Sequence, residues 1–547
     1  MASYLVQAGT NLYTMSRSGV ATQIVLPPGI TLYGGSIPCR ATVLGSAATP
    51  NIIVVNGGTQ DFYIDATGFA RQLQVSAPTA GPVLSAGTGT GLTGIYGVAI
   101  SFKVKDANLG LISESALGPT TFSASLSNNS LKMQNIPVSG DTGINSRGIY
   151  RTTSGGNILY PWFDIDDNIT LTEDRDTVDA LLSILPTTAN MNGAPPDLKL
   201  ITVWNDALWG VPREKIDSVR WTENRLFYGW AQSNEAIIQP KQTDNLGVTA
   251  FIPRRDQLGV TRYNRTYQIT GKDDDTYAVN GISNDIGCMS QESVVIVRDV
   301  AYWLGERGIV QWDTQGIGYV SEAQVTPWFI TDTYFNRALF TQAKARYNPD
   351  TDAYELLLAS AGSSVLNQWV CYDIKMKRWF GPHITNGFIP TATGTNGAFA
   401  GTLTDKNLTP IVVFGSSSGT LFRRDVTTAN DNGFAVPYVL SLPIAAGGTP
   451  GSPVASPMTF PDMQTYWGEL SVHSRPEVAG SVTVTPTVGE INASPSAPFT
   501  HNLTIPRERL PRLGVGKYMQ LTFTHNNLNE PFRLHGIIIN WNLVGRR

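Results

Sequence analysis

The sequence predicts an all-β protein: a β-propeller with an inserted fibronectin/Ig-like β-sandwich and a C-terminal β-sandwich. Three observations lead there. Gln291 to Glu322 reads as one antiparallel sheet of four short strands, the size of a propeller blade. Similar strand-and-turn patterns recur before and after it. Glycine (53) and proline (33) are frequent, beyond their usual combined share of ~12%, as many tight turns require.

In the Gln291 to Glu322 stretch, Ser293 to Val297 is a short apolar run, the mark of a strand covered on both faces. Asp299 marks a turn, and Val300 to Leu304 is a second strand. Gly305 to Gly308 is a tight turn, with glycine supplying positive φ. Ile309 to Trp312 returns, Thr314 to Gly318 turns, and Tyr319 to Ser321 begins a fourth strand.

From the start of the chain, residues 1–80 read as the N-terminal part of the propeller, with a hairpin after Asn51 to Val55 and a turn at Thr67-Gly68. Ser76 to Gly94 is small and Gly/Pro-rich and reads as a linker. Residues 81–190 form the sandwich, with about seven strands between Ile95 and Leu181. Val178 to Leu185 is its one short helix candidate. Asn190 to Asp197 is a linker. Residues 191–430 carry the main blades, opening with strands at Ile201 to Trp204, Ala207 to Val211, Ser218 to Thr222 and Arg225 to Gly229. Further units surround Gly259 to Gly271, Ala345 to Pro382 and Gly397 to Asp425. Residues 431–547 hold the second sandwich. Asp431 to Pro461 is Gly/Pro/Ser-rich, and five alternating strands follow from Met463.

The 547 residues carry a net charge of −4, with charged residues at only 15%, so the chain as a whole does not attract nucleic acid. Cys39, Cys288 and Cys371 are widely spaced and odd in number, which argues against a disulfide framework or a zinc site. The first residues, MASYLVQAGTNLY, have no basic n-region or apolar h-region. The expectation is synthesis in a cytoplasm without cleavage.

The motifs that could carry chemistry sit in the wrong contexts. Gly89 to Gly94 spells GxGxxG, but a β run follows where a dinucleotide site needs a helix. Gly415 to Gly419 spells GxSxG, again followed by a strand rather than the helix of a nucleophile elbow. The histidines, four of them in the C-terminal unit, lack zinc spacing and are expected on sheet faces. Two acidic turns stand out: Asp164, Asp166 and Asp167, and Asp273, Asp274 and Asp275. Neither has EF-hand spacing, so no metal is assigned, and solvated turns are the plain reading. No cofactor is expected.

The order of parts resembles a known family. YGVAISFKVKDANLGLISESALGP and RGIYRT look like the insert of phage virion proteins. PPDLKLITVWNDALWG looks like the re-entry into the propeller. SVVIVRDVAYWLGERGIVQWDTQGIGYVSEAQVTPWF looks like a late blade, and RLHGIIINWNLVGRR like the chain end. Together these are similar to the tail hub, or nozzle, proteins (tail tubular protein B-like) of short-tailed bacteriophages, the podophages, over roughly Asn51 to Arg547.

The resemblance implies a virion protein made in the bacterial host cytoplasm. It implies a homohexameric ring below the portal and adaptor rings, touching tail fibres or a tip protein, with no membrane partner and no catalytic residues. Genome DNA would leave through its channel without sequence recognition. A basic lumen would hold that DNA through released counterions, so an acidic or neutral lumen is expected. The two acidic turns are candidates to line it, and the pairs Arg254-Arg255, Arg423-Arg424 and Arg546-Arg547 are expected at subunit or adaptor contacts. Other classes compete: a receptor- or glycan-binding tail fibre or adhesin, and a propeller hydrolase or lyase.

Overall fold

The structure is a computed structural model. It describes residues 3–16, 20–27, 30–32, 39–45, 50–55, 61–73, 75–106, 110–141, 143–182, 196–222, 230, 233–238, 247–273, 276–321, 325–349, 351–384, 389–396, 411–423, 430–431, 434–435, 438–445, 463–477, 479–489, 493–516, 518–527, 530, 532 and 534–546. The chain is built from antiparallel sheets joined by turns; its longest α-helix among these residues is Thr326–Ile330. It divides into two compact units. One holds Met1–Leu366, Val370–Gly381 and Thr393–Val412, the other Asn367–Trp369, Pro382–Ala392 and Val413–Arg547.

In the first unit, meandering sheets follow one another along the chain. A three-stranded sheet begins at Ser3–Ala8. Four-stranded sheets then open with Arg40–Gly45, Leu198–Trp204, Ala250–Pro253, Val295–Val297 and Lys344–Asn348. Each packs face to face on the next. In the sheet that opens at Arg40, Val54, Phe62 and Ile64 face the preceding sheet's Leu12 and Ile24. The alternate residues Ile53, Val55 and Tyr63 face Leu198, Ile201 and Leu208 of the following one. The pattern repeats down the stack. Trp209, Val211 and Val219 meet Phe251, Leu258 and Val260. Ala250 and Ile252 meet Ala301, Trp303 and Val310. Tyr302, Leu304 and Ile309 meet Tyr354, Leu356 and Leu358.

This explains why the strands read as unbroken apolar runs: with period two and both faces covered, consecutive residues enter different cores. Fully burying each such Leu, Ile or Phe is worth about 1.5–3 kcal/mol relative to exposure. The opening strands of successive sheets are neighbours, as with Arg40–Gly45 beside Leu198–Trp204, Leu198–Trp204 beside Ala250–Pro253, and Val295–Val297 beside Lys344–Asn348. Sheets stacked in sequence around adjacent inner strands are the architecture of a β-propeller.

The 291–322 blade has strands Val295–Val297, Val300–Gly305, Gly308–Trp312 and Ile317–Tyr319. Gln291–Ser293 is a 3-10 turn rather than the start of the first strand. Arg298 and Asp299 both take positive φ (51° and 66°), forming a two-residue hairpin turn without glycine. In the next turn Gly308 alone of its two glycines has positive φ, at 144°. A Cβ there would also lie 2.0 Å from Ser321 Oγ, so the position admits only glycine.

Between Ala70–Gln72 and Leu198–Trp204 the chain forms a sandwich. One sheet contains Gly97–Asp106, Gly110–Glu114, Thr121–Phe122, Ser146–Arg151 and Tyr160–Ile165. Facing it are Leu92–Gly94 with Leu126–Asn129, and Val83–Ala86 with Leu131–Gln134 and Thr172–Arg175. Val98, Ile100, Ile149 and Ile165 meet Leu92, Leu126, Leu131 and Met133 in its core. Phe102, Val104 and Ile144 leave that core and join the blade core around Tyr63 and Leu208.

Several expectations change here. Ser76 to Gly94 is not a linker: it contributes the strands Val83–Ala86 and Leu92–Gly94. Its glycines permit close approach instead, since a Cβ on Gly87 would lie 2.1 Å from Asp174 Oδ1. The helix expected at Val178 to Leu185 is a 3-10 turn at Asp179–Leu181, with residues 183–185 outside the described ones. The strand expected at Arg225 to Gly229 also falls outside them, and the fourth strand of that sheet is Glu235–Ile237.

In the second unit, Tyr438–Ala445, Tyr518–His525, Ser481–Gly489 and Phe499–Asn502 form one sheet, and Arg507–Gly516, Met463–Ser474 and Leu534–Arg546 another. Trp467, Leu470, Val472, Val484, Leu521 and Phe523 fill the core between them. Tyr438–Ala445 lies within the stretch read as a Gly/Pro/Ser-rich connection. It and Arg507–Gly516 each contain a proline, Pro443 or Pro511, which argues against a central strand. Both are edge strands, with a neighbour on one side only, where proline is tolerated.

Candidate functional site

The acidic residues singled out in the sequence lie in two places. Asp164 is the penultimate residue of the strand Tyr160–Ile165, and Asp166 and Asp167 lie in the turn after it. Alternation sends Ser101, Lys103 and Lys105 to the sheet face that Asp164 and Glu114 share, away from the sandwich core. Lys103 Nζ lies 2.8 Å from Asp164 and 3.4 Å from Glu114, and Lys105 Nζ lies 2.7 Å from both Asp164 and Asp166. Glu114 also accepts hydrogen bonds from the Ser101 and Tyr150 hydroxyls.

Hydrogen bonds from Lys103 and Lys105 outweigh burial and hold the Asp164 carboxyl below its ordinary pKa. The Lys105 bond holds Asp166 low, and the Lys105 ammonium is raised by the same bonds against burial. Asp167 is held far lower, first by the Thr170 hydroxyl and then by the amides of Thr170 and Ile169. Its carboxylate also takes Arg147 Nη2 at 2.7 Å. That guanidinium, fully buried, reaches the carbonyls of Asp167 and Pro137 as well.

These three aspartates are therefore ionised but matched by two lysines and an arginine, and they pin the turn to the sheet. A cavity of about 330 Å³ opens beside them, lined by Lys103, Tyr150, Trp162 and Asp164 among others. Its charged groups are already paired. Asp273 is an exposed turn residue whose carboxylate accepts the Thr276 hydroxyl at 2.6 Å; Asp274 and Asp275 lie outside the described residues. Among the described residues no group of three or more His, Cys, Asp or Glu could hold a metal ion.

The arginine pairs divide. Arg254 is buried, not at a surface contact: it bonds the carbonyls of Asp299 and Asp313, pairs with the Asp299 carboxylate, and stacks 4.8 Å from the Trp312 ring centre. Burial within the blade stack overrides the surface expectation because the hairpin turn of the next sheet supplies its acceptors. The neighbouring Arg255 is exposed. The side chains of Arg423, Arg424, Arg546 and Arg547 lie outside the described residues.

The motif readings hold in place. Leu92–Gly94 is a strand, and Gly415 to Gly419 closes the hairpin between Ile411–Ser416 and Leu421–Arg423. None of the cysteines forms a disulfide; Cys288 is buried, and burial pushes its thiol up to about 12.

Two arrangements escaped the sequence reading. In the second unit Ser474 Oγ lies 2.9 Å from His501 Nε2, and His501 Nδ1 lies 2.8 Å from Glu508. This is the order of groups in a nucleophile–base–acid relay. His501 is wholly enclosed and Ser474 is 4% exposed, so a substrate could reach the hydroxyl only if strands parted. The relay joins three strands inside the sandwich. His501 is thus a core residue and not one on an open sheet face. In the first unit, Arg40, Lys199 and Glu292 meet where inner strands begin: Arg40 Nε lies 2.9 Å from Glu292, and Arg40 Nη1 reaches the Lys199 carbonyl at 3.3 Å. No spacing signals either group, because antiparallel register and sheet stacking alone bring the members together.

No family model matches the chain, and no curated protein matches it. Solved structures that align with it include PorZ, an essential bacterial surface component of the type-IX secretion system of Porphyromonas gingivalis. The identity there is 10%, covering 98% of this chain and 79% of that one, at a TM-score of 0.23. Another is an exo-β-1,3-galactanase of Phanerochaete chrysosporium, at 8% identity, 98% and 100% coverage and a TM-score of 0.19. Likenesses of this size carry no argument about what the chain does.

Proposed function

We propose that the chain is a structural protein of a short-tailed phage virion, a tail hub whose copies form a hexameric ring and channel for genome DNA below the portal and adaptor rings. It is not an enzyme in this reading. The observation that carries the proposal is the ordered set of segments resembling that family, each of which occupies a defined element. YGVAISFKVKD covers the strand Gly97–Asp106, and RGIYRT covers Ser146–Arg151. PPDLKLITVWNDALWG leads into the hairpin of Leu198–Trp204 and Ala207–Pro212. The 291–322 stretch is one whole four-stranded sheet, and RLHGIIINWNLVGRR is the last strand of the second unit.

Apolar side chains left in water on the first sandwich support subunit contacts: Phe122 is 60%, Leu181 74% and Ile169 80% exposed. Mass photometry and negative-stain imaging of the purified protein test the reading. A six-fold ring with a central hole is expected; a monomer at all concentrations would overturn it. The lumen of that ring should carry no excess of lysine and arginine and should not bind duplex DNA in a salt-sensitive way. Turnover of host polysaccharide or peptidoglycan, abolished by one Asp or Glu substitution, would end the non-enzyme part.

A further inference from the structure

At one end of the inner strands of the first unit, positive charge outnumbers its acceptors among the described residues. Lys199 is the second residue of the inner strand Leu198–Trp204. Arg213 follows that sheet's second strand, Ala207–Pro212, which pairs back on the first with Pro212 opposite Leu198. Arg213 Nε donates to the Leu198 carbonyl at 3.2 Å, and Arg40 Nη1 donates to the next carbonyl, that of Lys199, at 3.3 Å. Two guanidinium groups therefore hold adjacent peptide oxygens of the strand that carries the lysine.

The carboxylates nearby are already engaged. Glu292 pairs with Arg40 at 2.9 Å, and Asp217 pairs with the buried Arg262 at 2.9 Å. Among the described residues Lys199 Nζ has only a long contact, 3.4 Å, to the Val248 carbonyl, although an ammonium has three donors. Neither Lys199 nor Arg213 has a carboxylate within 4.0 Å among the described residues. Burial, then repulsion from Arg40 and Arg213, pulls the Lys199 ammonium below its ordinary pKa, with Asp217 opposing. Lys199 and Arg213 are half-buried, and Arg40 keeps a quarter of its side chain exposed. All three side chains are thus partly open to solvent.

We propose that Lys199, with Arg40 and Arg213, binds the oxyanion of a small ligand: a carboxylate, sulfate or phosphate. Such a group would accept the two open donors of Lys199 and relieve the repulsion among the three cations. The alternative for a half-buried lysine beside two arginines is a standing electrostatic cost. The guanidiniums supply directed donors, and the lysine supplies a mobile point charge. The site does not depend on the tail-hub reading, since it concerns one chain and one end of its inner strands.

The test uses the full chain and three probes at constant ionic strength set with chloride: inorganic phosphate, sulfate and glucuronate, with glucose as the neutral control. Isothermal titration calorimetry should show saturable binding of at least one anion and none of glucose. Lys199→Met should weaken it by about tenfold or more, while Lys199→Arg retains it. Lys215→Met, at an exposed lysine paired with Glu235, should leave it unchanged. Preference for glucuronate assigns the ligand to carboxylates, and preference for phosphate or sulfate assigns it to compounds that carry those groups.

A second measurement needs no variant. In the wild-type chain Lys199 should be reductively methylated faster than ordinary accessible lysines at neutral pH, and a bound anion should protect it. Anion binding no stronger than that of chloride, binding that survives Lys199→Met, or methylation of Lys199 indifferent to the anions would each overturn the proposal.

Discussion

The guanidinium of Arg40 and the carboxylate of Glu292 lie 2.9 Å apart although 252 residues separate them in the chain. Arg40 opens one inner strand, and Glu292 stands just before another, with two sheets of the stack between them in sequence. Such a bond forms only if the stack curves until its inner strands converge. The contact thus shows that the stack curves enough to bring these inner-strand ends together.

That pair is partly exposed, so its own worth is modest. A double-mutant cycle with Arg40→Met and Glu292→Gln should give a coupling of about 0.5–1 kcal/mol, smaller at high salt. Urea unfolding at low and high ionic strength measures it. A coupling of zero at both would mean that the strand ends are held by packing alone.

Arg254 should matter more. Its buried guanidinium satisfies two turn carbonyls of neighbouring sheet elements and covers Trp312. Arg254→Lys keeps the charge but loses the fork, and should cost about 2–3 kcal/mol. Thermal unfolding followed by tryptophan fluorescence reads the loss.

The ion pairs of the first sandwich set a pH dependence. Asp164, Asp166 and Asp167 titrate lower folded than unfolded. Their contribution to stability is complete above the unfolded value of about 3.9 and is lost as pH falls through the lower folded values. Lys105 is raised when folded, so its share persists until pH climbs past the ordinary lysine value of about 10.4. Stability should therefore be flat in these groups from about pH 5 to 10 and fall in acid. Arg147→Met should cost about 3 kcal/mol by leaving buried carbonyls and Asp167 without their donor, and should leave most of the acid limb in place, because that limb rests on Thr170 and on Lys103 and Lys105. Denaturant midpoints from pH 2 to 8 on both proteins provide the check.

Gly308→Ala should destabilise the blade by about 1–3 kcal/mol, since it combines a positive φ with a clash on Ser321. Adding Ser321→Ala removes the clash and should recover only part of the loss. Full recovery would show that the backbone angle is not strained.

Ser474→Ala should leave His501 Nε2 without its partner in an enclosed site, at a cost of about 1–2 kcal/mol. Neither wild type nor variant should cleave activated esters if the relay is structural. Ester hydrolysis lost with Ser474 would make it a nucleophile instead.

Local chemistry was legible in the chain. Val300 to Leu304 and Ile309 to Trp312 are strands because alternating β-branched and aromatic residues fill two cores at once, and the turns at Asp299 and Gly308 follow from positive φ. The predominance of strands, and the strand following each glycine motif, could likewise be read directly. What the chain could not reveal was anything that depends on distance in sequence. Tyr438–Ala445 lay in a stretch read as Gly/Pro/Ser-rich, and Arg507–Gly516 was not among the five strands expected from Met463, until pairing placed both at sheet edges. Asp164 to Asp167 read as a free acidic turn until register brought Lys103, Lys105 and Arg147 beneath it. Arg254 read as a surface charge until the next blade's turn closed over it. The meeting of Arg40 with Glu292, and of Ser474 with His501, left no mark in spacing. Period and turn chemistry are properties of neighbouring residues, so sequence determines them. Which charge meets which depends on how sheets stack, and that is decided by burying both faces of the central strands at once.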